Sequence, residues 1–299
     1  MRADPNYVTS LSQALSSSTK ASNDLASQLS SGLRVGSLSD DPGAAAQSLQ
    51  LGSQIARVDT YIQTAANQSS MLQVTDSTLG EVVSQLTSAI SLAVQATNGT
   101  LNSSNLQASA QQLTGIRDQV LALANSSYQG RFLFAGSQGS IKPFALDTAT
   151  TPATVTYSGD ATSQSIETPG RQQIQLNLPG SSIFGSGSSG PIAVLNQLIA
   201  DVTSGAPASN LSADSAALTA SLGQVSTQRS LLNASLATLQ STSSYAQTQE
   251  AQLKAQQSSL VAADPAAVAT ELKSNQVQYQ ALLSVVTALQ KINLFDYMH

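Results

Sequence analysis

The sequence predicts a mainly α-helical protein with a small β insert. Helices from the amino- and carboxy-terminal halves should form an elongated antiparallel bundle or coiled coil, with the β-rich insert at its far end. Apolar residues recur at helical spacing near both ends, and proline is absent from 43–142 and 208–264. Because proline breaks helix interiors, both proline-free stretches are free to form long helices. Short apolar and polar alternations occur only between these stretches, which predicts the insert there.

The two terminal segments each carry one apolar stripe, with spacings that alternate between three and four residues. A helix with a single apolar stripe buries it against another helix, so we expect the two segments to pair. We predict that residues 1–40 and 262–299 form a terminal coiled-coil foot. Its interface residues, which also meet other subunits, are predicted to be Val8, Leu11, Leu15, Leu25, Leu29, Val268, Leu272, Tyr279, Leu282, Val286 and Leu289.

Polar residues interrupt both stripes of this foot. Ser18 and Ser22 stand at stripe positions of the first segment, and Asn275 stands in the second. Ordering each residue costs roughly 1 to 2 kcal/mol of backbone entropy, which a diluted apolar stripe offsets poorly. We therefore expect the foot to be mobile in the free subunit and to become helical when neighbouring subunits enclose it.

The helices of the predicted bundle come from residues 41–135 and 192–261. The first should begin at Ser39-Asp40-Asp41-Pro42, a capping sequence with a first-turn proline, and end at Asn98-Gly99. A second helix should carry the stripe from Leu106 to Leu123, and another long helix the stripe from Leu218 to Leu260. Arg229 interrupts that last stripe and needs a carboxylate or carbonyl partner if buried; extension of its side chain to the bundle edge is favoured.

Residues 136–191 are predicted to form the β-rich inserted domain. Alternating runs at Thr154–Tyr157 and Gln173–Leu178 predict strands, and Ser158-Gly159-Asp160 and Pro169-Gly170 predict turns. The glycine- and serine-rich segment from 180 to 190 is expected to be a flexible return to the helices.

The charge pattern argues against nucleic acid and membrane partners. Charged residues make up 10% of the chain, the net charge is -5, and the basic residues are scattered singly. A phosphate backbone would find no basic patch, and no stretch approaches the roughly 20 apolar residues that cross a bilayer. Since interface centres are depleted in charge, this polar but nearly uncharged surface suits a protein covered by neighbours.

Residues for catalysis or cofactor binding are scarce. Cysteine is absent, and the single histidine, His299, is the last residue, so thiolate chemistry, zinc sites and Ser/His triads are not expected. Asp40 and Asp41 are interpreted as capping residues rather than an acid and base pair. The glycine-rich segment lacks the Gly-Lys-Ser/Thr ending of a phosphate-binding loop. We expect no enzyme activity, no cofactor and no metal.

Several motifs resemble those of the bacterial flagellin superfamily, which includes filament-forming flagellins and flagellar hook-filament junction proteins. The motifs shared with flagellins generally are Gln28–Val35, Ser39–Ala45 and Val94–Thr100. Those that are more similar to the junction proteins, the hook-associated proteins of the L type, are Gly130–Gly136, Pro143-Phe144, Val155–Asp160 and the ending Leu294–Met298.

This resemblance implies a structural subunit that forms a ring between the first hook-associated protein and the flagellin filament. It also implies an extracellular place on the flagellum, reached through the flagellar type III export apparatus without a cleaved signal. Implied partners are copies of itself, the first hook-associated protein, flagellin, the export apparatus and a cytoplasmic export chaperone. Residues expected to bind the chaperone are Leu283, Ile292, Leu294, Phe295 and Tyr297.

Two other functions remain open from the sequence. The first is a short filament-forming flagellin, because the helical end motifs are shared by both kinds of protein. The second is a secreted coiled-coil effector or adhesin that acts on a host surface. The β-rich insert and the Leu294-Phe295-Asp296-Tyr297 ending favour the junction subunit over the filament subunit.

Overall fold

The computed structural model describes residues 5–98 and 102–296, and side chains from 9 to 288 within them. These residues form α1 (Pro5–Ser31), α2 (Pro42–Thr97), α3 (Ser103–Ala124), α4 (Gly180–Phe184), α5 (Pro191–Ser204), α6 (Ala208–Val261) and α7 (Pro265–Asp296). The strands are β1 (Ser127–Tyr128), β2 (Arg131–Phe132), β3 (Phe144–Asp147), β4 (Thr154–Tyr157), β5 (Ser165–Glu167) and β6 (Gln173–Gln175). Helices account for 71% of the structure, so the predicted mainly α-helical fold with a small β insert is confirmed.

The chain divides into two compact units. The first contains residues 1–57 and 249–299, and the second contains residues 58–248. Helices α1 and α7 lie in the first unit together with the beginning of α2 and the end of α6. The three-part division given above, with its boundaries at 40, 135, 191 and 261, stays a prediction.

Helix α2 begins where its capping sequence predicts. The Asp41 side chain accepts a hydrogen bond from the Ala44 backbone N–H at 3.0 Å, and Pro42 occupies the first position. A proline is harmless there because its missing N–H would have no intrahelical partner. The helix ends at Thr97, directly before Asn98-Gly99.

The core of the second unit is built from leucines on α2 and α6. Leu72, Leu79 and Leu86 of α2 and Leu218 and Leu239 of α6 are all 0% exposed. Full burial of a leucine side chain contributes about 1.5 to 3 kcal/mol, so this row is a major source of stability. Helix α3 packs against α5 in the same unit.

Polar contacts join α2 to α6 across this core. Arg229 donates to the two carboxylate oxygens of Asp76, at 2.7 and 3.1 Å. The Arg229 side chain is nevertheless 37% exposed, so it has a carboxylate partner and also reaches the edge of the helix pair. Farther along, the hydroxyl groups of Tyr61 and Thr242 share a hydrogen bond of 2.7 Å.

The β-rich region consists of three separate antiparallel pairs, β1–β2, β3–β4 and β5–β6. The β3–β4 pair places Phe144 opposite Tyr157. Phe144 also packs edge-on against Phe184, with ring centroids 5.4 Å apart, and Phe184 packs against Phe134 in the same way at 5.2 Å. Such edge-to-face contacts suit the charge distribution of aromatic rings.

The segment from 180 to 190, expected to be a flexible return, begins instead with the short helix α4. Ile183 and Phe184 are 0% exposed, because the aromatic cluster takes Phe184 into its centre. A Cβ atom at Gly180 would lie 2.6 Å from the Phe134 carbonyl oxygen, so only glycine allows this approach. The segment is therefore packed over Gly180–Phe184, while residues 186–189 are exposed.

Candidate assembly interface

Helices α1 and α7 pack against each other, so the chain's two ends form one helix pair. Leu25 is 9% exposed and Val268 is 6% exposed, which makes them the most buried apolar residues of the described pair. Leu29, by contrast, is 44% exposed near the end of α1. The other described stripe residues are half-buried: Leu11, Leu15, Leu272, Tyr279, Leu282 and Val286.

Some predicted site residues cannot be assigned contacts. Val8 lies in α1, and Leu289, Ile292, Leu294 and Phe295 lie in α7, but their side chains fall outside the described part of the chain. Tyr297 lies outside the described residues altogether. The assembly and chaperone roles of these residues stay predictions.

A polar pair sits in the middle of this apolar contact. Ser18 Oγ donates to Asn275 Oδ1 at 2.6 Å, and Asn275 Nδ2 donates to the Ser18 carbonyl oxygen at 3.2 Å. Asn275 is only 9% exposed, so moving it along α1 would leave its amide without these partners. A single buried asparagine is known to set the register of coiled coils at the expense of stability. Ser18 and Asn275 therefore align α1 with α7.

An open groove of about 580 Å³ runs between α1 and α7. Small and polar side chains dominate its walls, so two helices alone do not fill it. The lining residues are Ala14, Ser17, Ser18, Ala21 and Leu25 from α1, and Glu271, Ser274, Asn275, Gln278 and Leu282 from α7.

The segment that connects α1 to α2 is hydrogen-bonded to the end of α6 and to the segment that connects α6 to α7. The Arg34 backbone N–H donates to the Val261 carbonyl at 2.7 Å, and that of Ala263 donates to the Gly32 carbonyl at 2.9 Å. The Arg34 guanidinium adds a bond of 2.9 Å to the Leu260 carbonyl. Sequence analysis did not identify this tie, since nothing local in the sequence marks a carbonyl 226 residues away as the partner of Arg34.

Asp40 and Asp41 have structural roles beside this link. Asp40 Oδ2 accepts hydrogen bonds from the backbone N–H groups of Ser37 and Gly36 at 2.8 and 3.0 Å. Hydrogen bonds to Ser37 hold the pKa of the Asp40 carboxyl below its usual value. The bond from the Ala44 N–H is the main cause of a lowered pKa at Asp41. The Asp41 contact agrees with the capping interpretation, whereas Asp40 stabilises the turn that precedes α2 and caps no helix.

Helix α7 also carries apolar side chains on its exposed surface. Val277 is 59% exposed, Leu283 is 40% exposed and Val285 is 38% exposed. Only Leu283 was identified from the sequence; the eight-residue spacing of Val277 and Val285, outside the stripe, would have indicated the others. Within the described residues, no helix is long and apolar enough to span a membrane.

Two family descriptions match the chain. The bacterial flagellin N-terminal helical region matches residues 6–139, and the bacterial flagellin C-terminal helical region matches residues 216–298. These ranges contain all of α2, α3 and α7, nearly all of α1 and most of α6. The matched regions are thus the elements that build the terminal pair and the long helices.

Individual flagellar proteins are also similar to this chain. The chain is 29% identical to flagellar hook-associated protein 3 of Salmonella typhimurium over 91% of both chains. It is also 29% identical to polar flagellin F of Vibrio parahaemolyticus, over 42% of this chain and 33% of that protein. A solved structure described as a flagellar hook-associated protein of Vibrio parahaemolyticus has a TM-score of 0.67 and 18% identity, with coverage of 75% of this chain and 100% of that one.

The solved structure supports the fold, and the sequence relatives support the kind of protein. The resemblance to the hook-filament junction proteins and the structural role in the flagellum, both inferred from sequence motifs, are confirmed. The chain belongs to the flagellin superfamily, whose amino- and carboxy-terminal helical regions it carries at its two ends.

Proposed function

We propose that this protein is the subunit of the ring that joins the flagellar hook to the flagellin filament. The extent of the sequence match carries this proposal. Hook-associated protein 3 of Salmonella typhimurium is matched along 91% of its length, β-rich region included, whereas polar flagellin F is matched along 33% of its length. A junction role explains similarity that continues beyond the helical ends.

The terminal helices are the proposed surface for assembly. Their stripe is half-buried, their groove is open, and α7 exposes further apolar side chains, of which Val277 is 59% exposed. Neighbouring copies that cover these side chains would gain about 25 cal/mol for each Å² of apolar surface removed from water. In the ring, the same surface would meet the first hook-associated protein on one side and flagellin on the other.

The route to this position is part of the proposal. The subunit leaves the cytoplasm through the flagellar type III export apparatus, escorted by a chaperone that binds the carboxy-terminal helix. Exposed Leu283 and the predicted residues after it are the proposed chaperone contact, in the manner of an amphipathic helix in a groove. The protein acts by assembly and performs no catalysis.

Deletion of the gene in a flagellated strain tests the junction role. We expect electron microscopy to show intact hooks without attached filaments, and flagellin to accumulate in the medium. Re-expression of the wild-type chain should restore attached filaments, and tagged protein should lie in one band between hook and filament. Tagged protein along the whole filament would contradict the proposal and indicate a filament-forming flagellin, while protein found only free and bound to host cells would indicate an effector or adhesin.

A matched pair of exposed leucines tests the chaperone contact. Leu283→Asp places a charge on α7, whereas Leu231→Asp places one on α6, where the leucine is 56% exposed. We expect only Leu283→Asp to lower the amount of subunit secreted into the medium, because a charge in an apolar groove is costly to desolvate. Equal secretion of both variants would contradict a chaperone role for Leu283.

A further inference from the structure

The buried face of helix α5 carries a polar side chain. Asn196 is 3% exposed, and the apolar residues Ile192, Leu195 and Leu198 on the same helix are 0% exposed. Within the described part of the chain, neither Nδ2 nor Oδ1 of the Asn196 amide has a hydrogen-bond partner. In the unfolded chain water binds both atoms, so burying them without partners costs free energy. Asn196 therefore destabilises the packing of α5.

The other buried asparagines that the structure describes are hydrogen-bonded. Asn177, which is 7% exposed in the β-rich region, accepts a hydrogen bond of 2.6 Å from the Gln164 backbone N–H. Its Nδ2 atom donates to the carbonyl oxygens of Gly136 and Thr162, at 3.3 and 3.2 Å. Asn275 on α7 has its partners on α1. Among these buried amides, the one on α5 alone lacks partners.

Another buried polar atom without a partner lies near the beginning of α6. Asp214 is 9% exposed, and its Oδ2 atom has no hydrogen-bond partner among the described residues. Four buried side-chain atoms lack a partner in the described part of the chain, and three of them belong to Asn196 and Asp214. Buried polar atoms without partners are therefore concentrated in α5 and in the first turns of the helix that follows it.

Glycines flank α5 at both ends. Gly190 precedes its first residue with a φ of 91° and makes no side-chain cap, and Gly205 ends the helix in the left-handed conformation. Residues 186–189, before Gly190, are exposed. A helix of 14 residues is marginally stable in water by itself, so α5 depends on its packing against α3 and β4. This packing is what the buried amide destabilises.

We propose that α5 is the element at which the second unit opens first. When α5 separates from α3, the Asn196 amide gains hydrogen bonds to water, which favours the open form by a factor of about ten or more. The exposed residues 186–189 and Gly205 are the hinges of this motion. Opening removes the contact of α5 with β4, while the buried leucines of α2 and α6 keep the long helices together. This property belongs to the free subunit and does not depend on the proposed junction role.

Hydrogen exchange of the wild-type full chain, followed by mass spectrometry of its peptides, tests the order of opening. Leu195 on α5 and Leu86 on α2 are both 0% exposed, so burial alone predicts equal protection of the two helices. We expect residues 191–204 instead to exchange roughly tenfold faster or more than the part of α2 around Leu86. Equal protection would overturn the proposal. Because this measurement uses the wild type alone, it does not depend on how any variant folds.

Asn196→Leu tests the amide itself, because leucine has a similar branched shape without the polar atoms. In urea unfolding of the full chain, we expect its unfolding equilibrium constant to be about tenfold smaller than that of the wild type, with exchange at residues 191–204 slowed by a similar factor. Asn177→Leu is the matched control and should raise the constant about tenfold or more, since it leaves the partners of that amide unpaired. An unchanged or larger constant for Asn196→Leu would show that the Asn196 amide is hydrogen-bonded in solution and would overturn the proposal.

Discussion

The long helices and the terminal helices bury similar stripes to very different degrees. In α2 and α6, stripe residues such as Leu79 and Leu239 are 0% exposed. In the described part of α1 and α7, even Leu25 and Val268 retain 9% and 6% exposure, and most other stripe residues are half-buried. The second unit therefore has a complete core within one chain, whereas the terminal pair has apolar surface that further helices can still cover.

This difference separates folding from assembly. A row of fully buried leucines gains its hydrophobic free energy when the single chain folds. The α1–α7 pair gains only part of that free energy alone, and its centre is occupied by the polar Ser18–Asn275 contact. An interface whose apolar surface is buried fully only when neighbouring copies cover it suits the proposed role of a subunit that assembles.

Amide hydrogen exchange should show the largest contrast between the two regions. In the free subunit, we expect α1 and α7 to exchange faster than the centres of α2 and α6 by several orders of magnitude, because local opening of the terminal pair requires far less free energy. The terminal helices should become protected in assembled flagella. Strong protection of both terminal segments before assembly would contradict an incomplete interface.

Leucine truncation should give the next largest effect. Leu79→Ala removes a 0% exposed side chain from α2 and should lower the free energy of unfolding by about 3 kcal/mol, measured by urea denaturation. Leu15→Ala in half-buried α1 should lower it by less than about 1 kcal/mol, yet weaken filament attachment in cells. Equal destabilisation by the two substitutions would remove the contrast between the regions.

The ion pair between α2 and α6 should contribute less. Asp76→Asn is expected to lower the stability of the second unit by about 1 kcal/mol at pH 7, since the Arg229 side chain is 37% exposed and solvent weakens the pair. The Arg229 hydrogen bonds lower the pKa of Asp76. The wild type should therefore lose this advantage as the pH falls below 3.8, and an unchanged difference down to pH 2 would contradict the assignment.

The smallest expected effect concerns the hydrogen bonds between the α1–α2 connection and the residues at the end of α6. Arg34→Gln removes the guanidinium bond to the Leu260 carbonyl but keeps the backbone bonds of residue 34. Because the Arg34 side chain is 51% exposed, we expect a loss of about 0.5 kcal/mol or less in thermal unfolding. Exchange should rise at residues 32–36 and 260–264, and Lys20→Gln on α1 serves as the control. A rise throughout α2 and α6 instead would show that Arg34 supports the core.

Local sequence signals predicted the helices well. The Asp41-Pro42 start and the Asn98-Gly99 end of α2 depend on residues within one helical turn, so the sequence alone locates them. The apolar faces that pair α1 with α7 were also predictable, because the spacing of apolar residues along each helix defines its apolar face. The sequence therefore predicted that the site is a pair of helices. It did not identify Val277 and Val285 as exposed apolar residues of that site.

Contacts between distant residues were not predictable in the same way. The glycine-rich segment looked flexible because its composition shows nothing of the aromatic cluster that buries Phe184. The partner of Arg229 is 153 residues away at Asp76, and the Arg34 tie spans 226 residues. Helix lengths and connections, rather than any local pattern, decide which side chains face each other at these distances.

The amino-acid sequence by itself determined the helical class, the helix ends and the stripes that are to be buried, because these properties depend on neighbours within a few residues. Only the tertiary structure decided which polar groups meet across the helices. Arg229 and Asp76 show this most clearly, since a guanidinium and a carboxylate 153 residues apart meet only when α6 lies beside α2. Their proximity, which no single segment contains, then lowers the pKa of the Asp76 carboxyl.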